Sequence, residues 1–376
     1  MFNHLSGCAG SRIIHKNQNV PPTEIAILLP LNSQSEKTNS LAKSLINSAR
    51  LAAQDLSHLN LILSVYPTSG EVQKAVLAAE AAVAGGAEII VGPLFSNETA
   101  AVKTALKDTN IKIISLSNDP LVAGNNVFIM GTTVKTSANT LVKFALSHGF
   151  ERIAIIGPEG QIGLNGIHAA QTAIADNGAI LTTISLYPLS PMGIRNAAPN
   201  IFEELVSSAS EAVIFTDTPT RGLGFITEQL DQLYDNNNLK LPQFMGITRW
   251  DSAKQILNES SLDQGWFALP DQRFKNRYRD RYLKTFNVSP SDLSSLSYDA
   301  IALIGVILEK NNSNIMAHKF DKTYFSDQNG FIGINGIFRF DYSGENERAL
   351  SIAEVDSGKF KIINQAKKNF KVNQSP

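Results

Sequence analysis

From residue 24 onward, short apolar stretches alternate with longer amphipathic ones, and this alternation leaves few folds open to the chain. The apolar stretches are rich in Ile, Val and Leu. They are too short for helices and too evenly apolar for strands with one wet face, so they read as strands buried on both faces. Strands at 25–30, 59–66, 88–91 and 111–115 enclose helices at 39–56, 72–85 and about 98–108. In the first of these helices Leu41, Leu45, Ala49, Ala52 and Leu56 trace one face, and Gly85-Gly86 closes the second. Successive βα units with right-handed crossovers make a doubly wound parallel sheet.

Residues 88–130 sharpen that expectation. The strand at 88–91 stops at Gly92-Pro93 and opens into a polar loop, where Ser96 or Asn97 can cap the following helix by accepting an N–H that its first turn leaves unpaired. Those N–H groups also suit a carboxylate or phosphate. The strand at 111–115 ends in a second polar loop, Ser117, Asn118 and Asp119. Ligands of open parallel sheets bind beyond this edge, so the two loops are a candidate ligand edge. The same residues serve equally as caps and turn formers with no ligand, and the sequence leaves both readings open.

A second βα run follows a strand at 127–130. Its helices are expected at 134–148, 165–177, 195–208 and 223–236, and its strands at 152–157, 180–186, 212–216 and 243–247. Two similar α/β lobes are therefore expected in succession. Helices at 271–286 and 293–310 and Gly-rich hairpins at 330–364 come last, and they must pack onto lobes already made. The chain is thus expected to pass between lobes more than once.

Composition and missing motifs narrow the function. A chain of 376 residues, 43% hydrophobic and 18% charged, can bury two cores, and a net charge of −1 gives no field for nucleic acid. No apolar run reaches the ~20 residues that span a bilayer. GxSxG, HExxH, GxxxxGK[ST] and CxxC are absent, the six histidines are scattered, and His148 suits a helix end. Glu203, Glu204 and Asp217 read as ordinary carboxylates, so neither enzyme, metal nor cofactor is expected. Six basic residues from Arg273 to Lys284 share one helix with Phe274, Tyr278, Tyr282 and Phe286 at four-residue spacing; the aromatic stripe reads as core and the basic side as a solvated face.

The single cysteine, Cys8, excludes an internal disulfide. It closes Leu5-Ser6-Gly7-Cys8, which resembles the bacterial lipobox; by that resemblance Cys8 is acylated and residues 1–23 form a tether, with Ala9 suiting outer-membrane sorting.

GPLFS at 92–96, IISLSND at 113–119, YDAIALIG at 298–305 and GINGIFRFDYSG at 333–344, in that order and spacing, resemble the type I periplasmic binding proteins of the leucine-binding family. The resemblance implies two lobes joined by three crossover segments, with ligand in a cleft between them. It assigns 24–131 plus 252–332 to one lobe, 132–251 plus 333–364 to the other, and 365–376 to a polar tail. VYPTSG at 65–70, SNDPLVAG at 117–124, GWFALPD at 265–271 and the ending RALSIAEVDSGKFKI are similar to the penicillin-binding-protein activator lipoproteins of alphaproteobacteria. That group implies regulation of peptidoglycan synthesis through contact with a penicillin-binding protein. The wider family implies delivery of an amino acid to an ABC permease.

The resemblance places Ser96, Asn97, Ser117, Asn118, Asp119, Ile162, Arg249 and Trp250 at the ligand cleft. Ser96 matches the serine that amino-acid receptors carry in the first loop. Asn118-Asp119 replaces a small residue followed by threonine or serine, and Ile162-Gly163 replaces Tyr-Gly. Arg249 stands where a carboxylate for the α-ammonium is usual, and a guanidinium there repels an ammonium group. The family's site is therefore matched in its carboxylate half and unmatched in its ammonium half.

Overall fold

The computed structural model describes residues 12–14, 22–311 and 319–370. Cys8 and the lipobox-like residues 5–8, on which the expected acylation rests, lie outside the described residues. The chain divides into two compact units, residues 1–132, 272–348 and 368–376, and residues 133–271 and 349–367.

The first unit is built on a six-stranded sheet. Its strands are β1 (Arg12–Ile14), β2 (Thr23–Leu29), β3 (Leu61–Pro67), β4 (Ile89–Val91), β5 (Lys112–Ser115) and β6 (Val127–Ile129), in the spatial order β1-β3-β2-β4-β5-β6. All neighbours are parallel except β1, which pairs antiparallel with β3 although it falls within the expected tether. Helix α1 (Glu36–Asp55) begins where Ser35 accepts the Thr38 N–H. With α9 (Ser295–Asn311) it covers one face, burying Leu45, Ala49, Ile301 and Ile304 against Ile27, Leu63 and Val91. Helices α2 (Val72–Ala84) and α3 (Ser96–Ala105) cover the other, where Ala75, Ala79 and Val102 meet Ala26, Leu28 and Ile113.

A small antiparallel sheet, β12 (Phe331–Gly333), β13 (Gly336–Phe340) and β14 (Asn346–Arg348), completes this unit. Its phenylalanines extend the first core, and Phe325 stacks on Phe128 of β6 at 4.1 Å. Beneath it Asp299 and Arg348, both fully buried side chains, form an ion pair at 3.4 Å, and Arg348 lies over the Phe338 ring. Helix α8 (Lys275–Phe286) docks by Tyr278 and Tyr282 on Leu51, with the Tyr278 hydroxyl between Ser48 and Ser294 at 2.8 and 2.7 Å. The aromatic stripe is thus core at those two positions, whereas Phe274 is 39% exposed. On the basic side Arg277, Arg279 and Lys284 are solvated and Arg281 pairs with Asp55.

The second unit carries a seven-stranded sheet. Its elements are α4 (Val134–Ser147), β7 (Arg152–Pro158), α5 (Gln161–Asp176), β8 (Ile180–Tyr187), α6 (Pro191–Ser207), β9 (Ala212–Phe215), α7 (Leu223–Asn236), β10 (Gln243–Gly246), β11 (Trp266–Pro270), β15 (Leu350–Asp356) and β16 (Lys359–Asn364). The spatial order is β16-β15-β11-β10-β9-β7-β8, parallel from β11 to β8 and antiparallel at β15 and β16. His148 is the C-cap of α4, as its place before Gly149 suggests.

Two boundaries differ from the expected ones. Residues 252–271 belong to the second unit, because β11 pairs with β10 and β15. Residues 333–348 belong to the first, because β13 and β14 pair with β12 and with each other. The expected polar tail also starts as packed chain: Ala366 is buried with its N–H on Ser351, and the Phe370 ring carries the Arg339 guanidinium at 4.5 Å.

Candidate functional site

Both strand-end loops of the first unit form where the alternating pattern put them, and hydrogen bonds stitch them together. Gly92 has a φ of +98°, and a Cβ there would stand 2.0 Å from the Leu28 carbonyl oxygen, so only glycine lets the chain leave β4 at this angle. Thr99 donates to the Phe95 carbonyl and shares a 2.8 Å hydrogen bond with the Ser115 hydroxyl. That hydroxyl lies 3.2 Å from the Pro93 carbonyl and accepts the Ser117 N–H. Each loop thus satisfies part of the other's hydrogen-bonding capacity.

The expected capping residues are placed differently. Helix α3 starts at Ser96 itself, with Phe95 at the N-cap and no side-chain cap; Asn97 instead accepts the N–H of its own neighbour Glu98 at 2.9 Å. Ser117 is buried and accepts the Asp119 N–H, while Asp119 accepts the Leu121 N–H and caps the 3-10 turn Pro120–Val122. Ser117 and Asp119 are therefore occupied with the backbone of their own loop. Ser96, Asn97 and Asn118 reach solvent. They give this edge small neutral donors suited to an acidic group or to water.

Glu98 escaped the sequence reading. It is fully buried, takes the Thr68 hydroxyl on Oε1 at 2.7 Å, and leaves Oε2 without a partner. Burial pushes its carboxyl up, against the Thr68 bond and a Phe95 backbone bond. A glutamate in the first turn of a surface helix is ordinary, and only Thr68, thirty residues earlier, could have marked it.

In the second unit Ile162 lies inside α5 rather than in a loop. Gly160, at φ +98°, starts the helix four residues earlier than the expected 165. At the end of β9 Asp217 is fully buried and accepts from the Tyr187 hydroxyl, the Thr218 N–H and the Gly222 N–H at 2.7–2.8 Å. A carboxylate so occupied organises the loop. Together burial and the neighbouring Asp217 raise the Tyr187 hydroxyl far above its ordinary range.

Beyond β10, Arg249 and Asp251 are joined by two hydrogen bonds, and Thr248 donates to the Asp217 carbonyl. Trp250 is not a ligand-facing residue. It is fully buried in the second unit's core and lies over Gly246 and Gly265, where Cβ atoms would fall 2.0 and 2.7 Å from its ring. Removing those two side chains is what makes room for the indole.

The opposite, amino-terminal edge of this sheet holds a surface pocket of about 460 Å³ that includes Phe150, Glu211, Lys240, Gln243 and Gln264. Glu211 is held by the Glu151 and Arg152 N–H groups and Gln243 donates to the Gln264 carbonyl. Among the described residues no cluster of His, Cys, Asp or Glu could hold a metal ion, and no helix is long and apolar enough to cross a membrane.

The family described as periplasmic binding protein matches residues 22–359. A curated relative, an uncharacterised protein of Rickettsia prowazekii (strain Madrid E), is 22% identical over 381 residues, covering 96% of this chain and 95% of its own. Among solved structures, a putative branched-chain amino acid ABC transporter from Rhodospirillum rubrum superposes with a TM-score of 0.75 at 13% identity, over 92% of this chain and all of that one. An ABC transporter substrate-binding protein from Desulfitobacterium hafniense in complex with Leu gives 0.66 at 15% identity, over 91% and 100%. At such identities the structural likeness speaks for the fold alone. The match over residues 22–359 and the two parallel-sheet units together establish that the chain belongs to the periplasmic binding protein family and has its type I fold, that of the leucine-binding proteins.

Proposed function

We propose that this chain is a non-enzymatic lipoprotein of the periplasm, anchored through Cys8 to the outer membrane, that stimulates a peptidoglycan synthase of the penicillin-binding-protein class. The observation that carries this reading is the closure of Arg249 on Asp251. A receptor for amino acids needs a carboxylate ready for the ligand's ammonium group, and here the carboxylate of this loop is already matched by a guanidinium. Asp119 and Ser117 are likewise engaged with their own loop. Loops satisfied in this way suit a binding fold that acts through its surface.

The test has two parts. Purified protein added to the penicillin-binding protein of the same bacterium should raise its glycan-polymerising or cross-linking rate, and amino acids at millimolar concentration should leave the melting temperature unchanged. No stimulation by an acylated, folded preparation would overturn the proposal.

A second reading has its own observation. Ser96, half-buried, stands at the start of α3, where a receptor of an ABC transporter would hold an acidic group. Leucine or another amino acid that raised the melting temperature of the protein but not of Ser96→Ala would favour this reading, since a ligand at 100 times its Kd adds about 2.7 kcal/mol to the folded state.

A further inference from the structure

Four strands form the outer edges of the two large sheets, and three of them are protected in ordinary ways. β1 and β6 are three residues long, and the Ile129 N–H of β6 already donates to the Gly344 carbonyl. β16 presents Lys359 and Lys361, the latter paired with Glu354 and Asp356. Short strands and edge lysines are the usual guards against strand-to-strand association.

β8 has neither. It is eight residues long, about 26 Å at ~3.3 Å per residue, contains no charged residue, and pairs only with β7 among the described residues. The Ile180 N–H and the Tyr187 carbonyl point toward β7, to the Glu151 carbonyl and from the Glu159 N–H. Backbone groups alternate sides along a strand, so Ile184 and Leu186 turn theirs to the free edge. Their side chains are 38% and 41% exposed, and Ile180, Leu181, Leu189 and Met192 nearby in sequence are exposed as well. The register shift against β7 falls before Ile184, leaving Ile184–Tyr187 regular. Glu204 takes the Ser185 and Thr183 hydroxyls on the face covered by α6, away from the pairing direction.

We propose that β8 pairs antiparallel with β8 of a second copy of this chain, joining two seven-stranded sheets across a two-fold axis. An isologous interface must complement itself. An uncharged apolar strand does so when reversed, because each outward N–H and C=O meets its counterpart and no like charges oppose. A foreign strand would find no charge here to select it.

Sedimentation of the folded chain carrying Cys8→Ser should give twice the single-chain mass at high concentration. Leu186→Lys should return it to a monomer that melts where the unaltered protein melts once diluted to a monomer, because that side chain is already partly solvated and only the partner's stabilisation is lost. Ile184→Cys and Leu186→Cys in the same background, alone and mixed, should form reducible dimers. A monomer at every soluble concentration overturns the proposal, including one that binds an unrelated extended peptide along β8. A dimer that survives Leu186→Lys and never cross-links overturns it too.

Discussion

Arg249 holds Asp251 through two parallel hydrogen bonds, Nε to Oδ1 at 2.6 Å and Nη2 to Oδ2 at 2.5 Å. The guanidinium that the sequence sets against an ammonium ligand is thus neutralised two residues along the chain, at the end of β10. The aspartate is nearly buried and the arginine about one third exposed, so water screens only part of the pair.

Asp251→Ala should therefore destabilise the second unit by about 1 kcal/mol, Arg249→Ala by a similar amount, and the double variant by less than their sum. Both tryptophans, Trp250 and Trp266, belong to this unit, so their fluorescence during urea unfolding reports it selectively. Additive losses would show that the pair is not coupled.

Trp250→Ala should cost about 3–5 kcal/mol, the range for deleting a large buried aromatic. Gly246→Ala should cost about 1–3 kcal/mol, because the added methyl must displace the indole. Trp266 fluorescence follows both variants, and a neutral Gly246→Ala would refute the close packing.

Glu98 predicts a pH dependence. Its folded carboxyl titrates above the ordinary glutamate value of 4.5 because it is buried. Below that value both states hold the proton and no penalty exists. As pH rises through the folded value the unfolded chain releases its proton more readily, so folded stability falls. The melting temperature of Glu98→Gln relative to the unaltered protein should climb between pH 4.5 and 7; a constant difference would refute the raised titration.

Asp299→Ala should cost about 3–5 kcal/mol, since it strands the Arg348 charge in a closed interior. Burial lowers the arginine's proton affinity, and Asp299 offsets only part of that loss. Asp299→Leu combined with Arg348→Met should lose much less, as read by urea unfolding of the first unit. Equal losses for the single and double variants would count against an uncompensated charge.

Much of the fold was readable because buried parallel strands announce themselves: Ile89–Val91 and Ile153–Ile156 can hardly be anything else. β11 was not, because Trp266–Pro270 follows three short 3-10 turns and its strand character comes from its neighbours β10 and β15. The site was legible only in outline. Position along the chain puts Ser96 and Asn118 at strand-end loops that reach solvent, but which partner a side chain takes depends on residues far away in sequence, as Glu98 with Thr68 and Asp217 with Tyr187 show. The family resemblance puts Trp250 at the ligand cleft; the space left by Gly246 and Gly265 decides that it turns inward.

The interleaving of the two units sets an order on biosynthesis. The first unit's core needs α9 and the phenylalanines of β12 and β13, and the second unit's sheet needs β15 and β16, so neither is complete until nearly the last of the chain has been made. A ribosome that stops after residue 330 leaves two unfinished cores instead of one finished domain and one fragment. Late truncations should therefore be cleared by proteases as whole chains, and half of this protein cannot be kept by cutting it at any single point.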